Sequence, residues 1–146
     1  MSKPGVNVYT AGYSQWKDQQ EFFTMVHSFK ALLIDVRLYP VSRHRPEWSK
    51  EALQQNFSSY IHVRAYGNES FGTDKPAKLL NPGKAAEQLN AWVKKGRTDF
   101  LFLCACANHN VCHRSLAAID FADFLRRNSF SANVHHLKPG GQQTLF

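Results

Sequence analysis

The sequence predicts a three-layer α/β fold around a mostly parallel central sheet of about four or five strands. Strand-like and helix-like segments alternate along the chain, and two of them, ALLIDVR and FLFLCAC, are unbroken apolar runs of strand length. Runs that are apolar on both faces suit strands buried between two layers of helices. Because each helix returns the chain to the same edge of the sheet, the alternation implies parallel pairing. With 146 residues and no linker, the chain is expected to form one domain over residues 1–146.

The first half of the chain contains three predicted strands. VNVYTAGYS is rich in β-branched and aromatic residues, ALLIDVR is the apolar run already described, and SYIHVRAYG alternates enough to be the third strand. Between the first two, WKDQQEFFTMVHSF keeps its apolar residues at helical spacing on one face. YPVSRHRPEW has prolines and no period, which is typical of an irregular loop, and SKEALQQNF is predicted to form a short helix.

The second half of the chain contains two predicted strands and two predicted helices. Residues 68–80 give little signal and are expected to form an exposed loop. Asn81 and Pro82 suit the N-cap and first position of a helix that ends at Gly96. FLFLCAC is predicted to be a central strand, and a helix from Cys112 to Arg127 follows it. ANVHHL is typical of a last, shorter strand before a glycine-rich tail.

The composition indicates a basic protein of the cytoplasm. The formal charge of +7 favours anionic partners such as phosphates, nucleotides, nucleic acid or carboxylate metabolites, although solubility alone explains it equally well. No apolar run approaches the roughly 18 residues that span a bilayer, and the N-terminus lacks the pattern of a signal peptide, so no membrane partner is expected. Three cysteines, an odd number placed close together, are expected to be reduced thiols.

Polar and reactive side chains follow four of the predicted strands. In an open parallel sheet, ligands bind beyond the carboxyl ends of the strands, so we expect these side chains to meet at one edge. The residues are Tyr13 and Ser14 after the first strand, Asp35, Arg37, Ser42, Arg43 and Arg45 after the second, Arg64 and Tyr66 after the third, and Cys104 to Arg114 after the fourth. The convergence predicts a site for an anionic small molecule or nucleotide, bearing a phosphate group.

The segment Cys112-His113-Arg114 is predicted to begin a helix at this edge. A helix start exposes unpaired N–H groups that bind anions, and Arg114 could add a two-pronged contact. A cysteine there should be more acidic than usual. Cys112 or Cys106 is therefore the candidate nucleophile of a transferase or hydrolase, and His113 its proton carrier. Asp35 is the fourth catalytic candidate, which would orient Arg37 or act as a base. The anion-binding candidates are Arg114, Arg37, Tyr13, Ser14, Ser42 and Arg43.

Other hypotheses remain open for the same residues. A zinc site could use Cys104, Cys106, His109, Cys112 and His113, but a C-x-C pair on a strand points to opposite faces unless the strand ends at Cys104. We therefore expect no metal and no cofactor. Cys104 could be an ordinary core residue, and Asp35 and Arg37 a simple ion pair. A non-catalytic nucleic-acid-binding module, using Tyr39 to Trp48 and Arg64, is the alternative function, with Trp48 stacking on a base or ring.

The assembled residues resemble the bacterial and archaeal family known as domain of unknown function 488. YTAGYS resembles its opening strand and turn, LLIDVRLYPVSR and SYIHVRAYGN its next segments, and FLFLCACANHNVCHR its block ending in Cys-His-Arg. The resemblance implies an α/β fold and no particular reaction. It implies a site at Tyr13, Ser14, Asp35, Arg37, Ser42, Cys112, His113 and Arg114. Members often carry Cys-x-Glu where this chain has Cys104-Ala105-Cys106, so a thiolate at Cys106 would replace any acidic base.

Overall fold

A β-sheet with helices on both faces forms the centre of the structure, a computed structural model that describes residues 5–106, 112–139 and 143–145. The strands are β1 (Gly5–Gly12), β2 (Leu32–Asp35), β3 (Tyr60–His62), β4 (Asp99–Cys104), β5 (Ser131–Leu137) and β6 (Gln143–Leu145). The helices are α1 (Gln19–Phe29), α2 (Lys50–Asn56), α3 (Pro82–Lys94) and α4 (His113–Arg127). Short 3₁₀ turns at Tyr13–Gln15, Pro46–Trp48 and Arg64–Tyr66 connect some of them.

The strands are ordered β3-β2-β4-β1-β5-β6, and the first five along the chain are parallel. This confirms the predicted α/β fold with a mostly parallel sheet. β6 pairs antiparallel with β5, and it was not predicted because the tail around it is rich in glycine. The register places Gly12 beside Cys104 and Asp35 beside Leu103. The carboxyl ends of β1, β2 and β4 therefore lie side by side.

Alternation along β4 divides the core into two halves. Phe100, Phe102 and Cys104 pack on the face covered by α3 and α4, and Leu101 and Leu103 pack on the face covered by α1 and α2. All five side chains are buried. Both faces of the central strand are apolar because a helical layer covers each of them, as expected of a parallel sheet. Cys104 thus lies on the same side of the sheet as the beginning of α4.

The third strand is shorter than the sequence predicted. SYIHVRAYG was expected to be extended throughout, yet β3 ends at His62 and a 3₁₀ turn at Arg64–Tyr66 follows. The turn brings the Tyr66 ring into the core, where its hydroxyl donates to Asp120 of α4 at 2.9 Å. Burial and the neighbouring Asp120 carboxylate raise the pKa of Tyr66. A contact between residues so far apart in sequence leaves no trace in the local alternation.

The ends of two helices agree with the sequence. Asn81 caps α3 by accepting a hydrogen bond from Lys84 N at 3.2 Å, and the chain leaves that helix through Gly96 with φ +97°. Cys112 is the N-cap of α4, with no side-chain cap bond among the described residues. None of the helices in the described part of the chain is long and apolar enough to cross a membrane.

Candidate functional site

A cavity of about 260 Å³ opens at the carboxyl edge of the sheet. Its inner wall comes from the ends of β1, β2 and β4 and from the start of α4, and its outer wall comes from two loops. The lining residues are Tyr13, Arg37, Leu38, Tyr39, Val41, Asn68, Phe71, Ala77, Cys104, Ala105, Cys106 and His113. A larger depression of about 470 Å³ beside α1 contains none of the predicted site residues, so the edge cavity is the candidate site.

Asp35 and Arg37 form a buried, two-pronged ion pair at the end of β2. Arg37 Nε and Nη2 donate to the two Asp35 oxygens at 2.9 and 2.7 Å, and the Tyr60 hydroxyl donates to the same carboxylate. Burial acts to lower the pKa of Arg37, but its bonds to Asp35 outweigh burial and raise it. Nη1 of Arg37 is buried and has no hydrogen-bond partner among the described residues. The ion-pair interpretation is confirmed, and one guanidinium N–H group remains unused.

Tyr13 forms the floor of the cavity between Arg37 and Trp48. The Tyr13 ring stacks on the Trp48 ring, with the two centroids 4.9 Å apart. Arg37 Cζ lies 5.4 Å from the centroid of the Tyr13 ring. Trp48 is 0% exposed and also packs against Phe22, with centroids at 4.9 Å. The expectation that Trp48 stacks on a ligand base or ring is therefore wrong, because Tyr13 and Phe22 already occupy its surroundings.

Ser14 joins the end of β1 to the end of β4. Its backbone N–H donates to the carbonyl oxygen of Ala105 at 3.1 Å, and its hydroxyl donates to the same oxygen. Ser14 does not line the cavity. The serine predicted to bind an anion instead holds the segment that carries Cys106 against the Tyr13 turn.

The basic loop after β2 is held by its own side chains. Ser42 Oγ accepts a hydrogen bond from Arg45 N at 3.2 Å. The Arg45 guanidinium donates to the carbonyl oxygens of Tyr13 at 3.1 Å and Trp16 at 2.6 Å. Arg43 is exposed, and neither Ser42 nor Arg43 lines the cavity. The structure therefore brings these two predicted anion-binding residues near the site without placing them in it.

We predict that Arg45→Ala destabilises the fold by about 2 kcal/mol, because it removes charged hydrogen bonds to two backbone carbonyls. Arg43→Ala is the matched control in the same loop, and it should change the free energy of unfolding by less than about 0.5 kcal/mol. Urea unfolding followed by circular dichroism measures both. Equal effects of the two substitutions would show that Arg45 does not hold the loop.

His113 and Arg114 begin α4; His113 lines the cavity, and Arg114 lies behind it. A carbonyl oxygen only accepts, so His113 Nε2 carries the proton that it donates to Val36 O at 2.6 Å, which leaves Nδ1 as a lone-pair nitrogen. Burial lowers the pKa of His113, and the charge of Arg114 lowers it further. Arg114 is 1% exposed and donates from Nη1 to Cys106 O at 2.6 Å. Burial lowers the pKa of Arg114 to about 10.

The three cysteines form one cluster at the inner end of the cavity. Their sulfur atoms all lie within 4.8 Å of one another. The sulfurs of Cys104 and Cys112 are in contact as a disulfide pair, although the Cα atoms are 7.9 Å apart, and Cys106 is a free, half-buried thiol. The expectation that all three cysteines are reduced thiols is therefore wrong for Cys104 and Cys112, because the end of β4 and the start of α4 bring their side chains together. Of the two candidate nucleophiles, Cys106 lines the cavity, whereas Cys112 is buried at the N-cap of α4. His109 lies outside the described residues.

The outer wall of the cavity was not predicted from the sequence. It consists of Tyr39, Val41 and Phe71, which are exposed although they are large and apolar. The rings of Tyr39 and Phe71 meet edge to face with centroids 5.8 Å apart. One signal was present, because Phe71 is the single aromatic residue of the polar stretch 68–80. Its partner is 32 positions away, and no periodic pattern connects the two.

The fold and the cavity define a three-layer α/β protein with thiol, imidazole and guanidinium groups gathered at the carboxyl edge of its sheet. The family model for the domain of unknown function DUF488 matches residues 19–119, and the chain belongs to that family. The match includes Asp35, Arg37 and the Cys112-His113-Arg114 segment, whereas Tyr13 and Ser14 precede it. The family resemblance is therefore confirmed. No curated protein matches the sequence.

Proposed function

We propose that this protein binds a small anionic molecule bearing a phosphate group in the cavity at the carboxyl edge of the sheet. One observation carries the proposal: three segments distant in sequence bring Tyr13, Arg37 and the pair Cys106 and His113 to a single cavity. A concave site with a few convergent polar groups is where ligands bind in this class of fold. The volume of about 260 Å³ suits a ligand of about the size of a phenyl phosphate.

The charges around the cavity favour an anion. Asp35 neutralises Arg37, but Nη1 of that guanidinium group still lacks an acceptor among the described residues. Arg114 lies directly behind Cys106, and its Nη1 donates to the carbonyl oxygen of Cys106 at 2.6 Å. The first turn of α4 adds the partial positive charge of a helix N-terminus. A bound phosphate group would accept a hydrogen bond from Arg37 Nη1 and would lie in the positive potential of this helix end.

The outer wall indicates that the anion carries an apolar or aromatic portion. Tyr39, Val41 and Phe71 offer apolar surface to solvent on the side of the cavity opposite the charged groups. Exposed apolar side chains gathered at one place are typical of binding surfaces. A planar group stacked against Phe71 would cover this wall while the phosphate group points inwards.

Group transfer is the reaction class that the arrangement supports. The Cys106 thiol would lose its proton, and its sulfur would attack a phosphorus or carbonyl carbon atom of the ligand as the leaving group departs with a proton. The lone-pair nitrogen Nδ1 of His113 is the base that the described cavity wall offers. Water or a second acceptor would then take the group from sulfur. The product would be that of a hydrolase or a transferase, respectively.

The proposal is tested by titrating phenyl phosphate, inorganic phosphate and phenol into the protein by calorimetry. We expect phenyl phosphate to bind more tightly than inorganic phosphate, and phenol not to bind. Phe71→Ala should weaken phenyl phosphate binding about tenfold, since losing one aromatic contact costs about 1.4 kcal/mol, and should leave inorganic phosphate binding unchanged. Ile119→Ala, an exposed apolar residue of α4 outside this cavity, is the control.

The same samples report the reaction when they are followed by phosphorus NMR. Cys106→Ser should still bind phenyl phosphate but should not convert it, because a hydroxyl is a far weaker nucleophile than a thiolate. Failure of both phosphate compounds to bind would overturn the binding proposal. Equal conversion by the wild type and Cys106→Ser would remove the thiol from the mechanism.

The nucleic-acid alternative has weaker support. Of the side chains predicted for nucleic-acid binding, Trp48 is buried, and Arg45 donates its hydrogen bonds to backbone carbonyls. The exposed arginines that remain in those segments are Arg43 and Arg64. Two arginines on separate loops supply little of the phosphate contact on which such binding depends. A small molecule is therefore the occupant that we propose.

A further inference from the structure

We propose that Cys104, Cys106 and Cys112 together bind a Zn²⁺ ion through three thiolates. The inference goes beyond the proposed function, because it concerns the sulfur cluster alone and requires no phosphate-bearing ligand. Thiolates are soft ligands that select zinc over the hard ions that prefer oxygen. The sequence argument against such a site was that a C-x-C pair on a strand points to opposite faces.

The end of β4 removes that objection. The strand stops at Cys104, so the backbone no longer alternates when it reaches Cys106. All three sulfur atoms therefore gather within 4.8 Å of one another. Zn–S bonds of about 2.3 Å in a tetrahedral arrangement separate the sulfurs by about 3.8 Å. The cluster is therefore compact enough for one ion to reach all three sulfurs, once reduction opens the contact between Cys104 and Cys112.

The backbone spacing of Cys104 and Cys112 suits a bridging ion better than a direct bond. Their Cα atoms are 7.9 Å apart. Disulfides usually span Cα separations of roughly 4.4–6.8 Å, and pairs beyond about 7 Å need backbone movement to be joined. A disulfide joins its two sulfurs by one bond of about 2.05 Å, whereas a bridging metal ion joins them by two bonds of about 2.3 Å each. A bridging ion therefore suits a larger Cα separation. Reduced and metal-bound, the pair would need no such movement.

The surroundings compensate the charge of the complex. Three thiolates around Zn²⁺ carry a net charge of −1, and binding releases the thiol protons to solvent. Arg114 Nη1 lies 3.7 Å from Cys104 Sγ and is held there by its bond to Cys106 O. Cys112 is the N-cap of the 15-residue helix α4, whose N-terminal dipole favours negative charge.

The fourth coordination position would face the cavity. Cys104 and Cys106 both line it, so a water molecule or an oxygen atom of a cavity ligand could complete the tetrahedron. Zinc sites with three protein ligands and one exchangeable position are typical of catalytic rather than structural zinc. An ion there would bind the oxygen of an anion directly, at the inner end of the cavity.

The test is zinc binding by the reduced full-length chain in phosphate-free buffer. After loading with equimolar Zn²⁺ and gel filtration, elemental analysis should find one zinc ion per chain. Co²⁺ in its place should give the strong visible bands and sulfur-to-metal charge-transfer absorption of a tetrahedral thiolate site. Cys106→Ser, at the half-buried position, should weaken zinc affinity by at least about 100-fold, since even residues that only support ligands cost about 10- to 100-fold.

If the Cys106→Ser variant folds poorly, alkylation of the wild type and a control variant still test the zinc site. Bound zinc should protect all three wild-type thiols from alkylation, and a chelator should expose all three together. His27→Gln, at an exposed histidine on α1, controls for adventitious zinc and should bind like the wild type. The proposal is overturned if the reduced wild type retains no zinc or if the reduced Cys106→Ser variant retains it equally. The phosphate titrations are run on metal-free protein, so these outcomes do not decide the proposed function.

Discussion

Gly12→Ala is expected to destabilise the fold by about 3 kcal/mol or more, because overpacking of a rigid site forces the backbone to shift. A Cβ atom at position 12 would overlap the carbonyl oxygen of Cys106 and would lie 2.6 Å from Arg114 Nη1. Neither atom can move without a large cost in free energy, because the Cys106 oxygen belongs to the backbone and Arg114 Nη1 is hydrogen-bonded to that oxygen. The backbone of Gly12 is extended, with φ −104° and ψ 115°, so the expected loss is purely steric.

Gly83→Ala is the matched control for this substitution. A Cβ atom at Gly83 meets nothing within 4 Å, and its position in α3 favours alanine. Chemical unfolding should therefore show an unchanged or slightly raised stability for Gly83→Ala and a large loss for Gly12→Ala. A Gly12→Ala protein as stable as the wild type would mean that the ends of β1 and β4 do not approach as closely as the structure places them.

Asp35→Asn is expected to cost about 3–5 kcal/mol, the range for removing one partner of a buried ion pair. Asp35 is 0% exposed and holds the Arg37 guanidinium through two hydrogen bonds, while the Tyr60 hydroxyl donates to the same group. An amide at this position leaves the Arg37 charge buried without compensation. The cost should appear as a lowered midpoint of urea unfolding with an unchanged slope.

Asp123→Asn provides the comparison at an exposed pair. Asp123 contacts Arg126 at 3.1 Å with about half of each side chain exposed, so its loss should cost less than about 1 kcal/mol. The double variant Asp35→Leu with Arg37→Met should recover much of the stability lost in Asp35→Asn, because no unpaired charge remains. If Asp35→Asn and Asp123→Asn lose the same stability, the pair at the end of β2 does not hold the site together.

Both predictions concern the supports of the cavity rather than its lining. Gly12 allows β1 to approach the segment of Cys106, and Asp35 holds Arg37 in position beneath Tyr13. Ser14 and Arg45 serve similar purposes through bonds to backbone carbonyls. Residues singled out for their chemistry thus turn out to position the segments that line the site. This division is expected where a rigid cavity must be assembled from several chain segments.

The sequence by itself determined the α/β architecture and the edge of the sheet at which the candidate site lies. The apolar runs of β2 and β4, the cap at Asn81 and the stop at Gly96 are local patterns, so neighbouring residues are enough to recognise them. Parallel strands carry their carboxyl ends to one edge, and this follows from the alternation of strands and helices alone. The ion pair of Asp35 and Arg37 could also be predicted, because the two residues are only two positions apart and their side chains lie on the same face of an extended strand.

Only the tertiary structure decided which side chains line the cavity at that edge of the sheet. The burial of Trp48, the apolar wall around Phe71 and the clustering of the three sulfur atoms all depend on side chains from segments far apart in the chain. The end of β4 at Cys104 and the turn after β3 likewise depend on packing against α4 and the core. Periodicity reports which face of an element is buried, but it carries no information about which distant side chain meets that face.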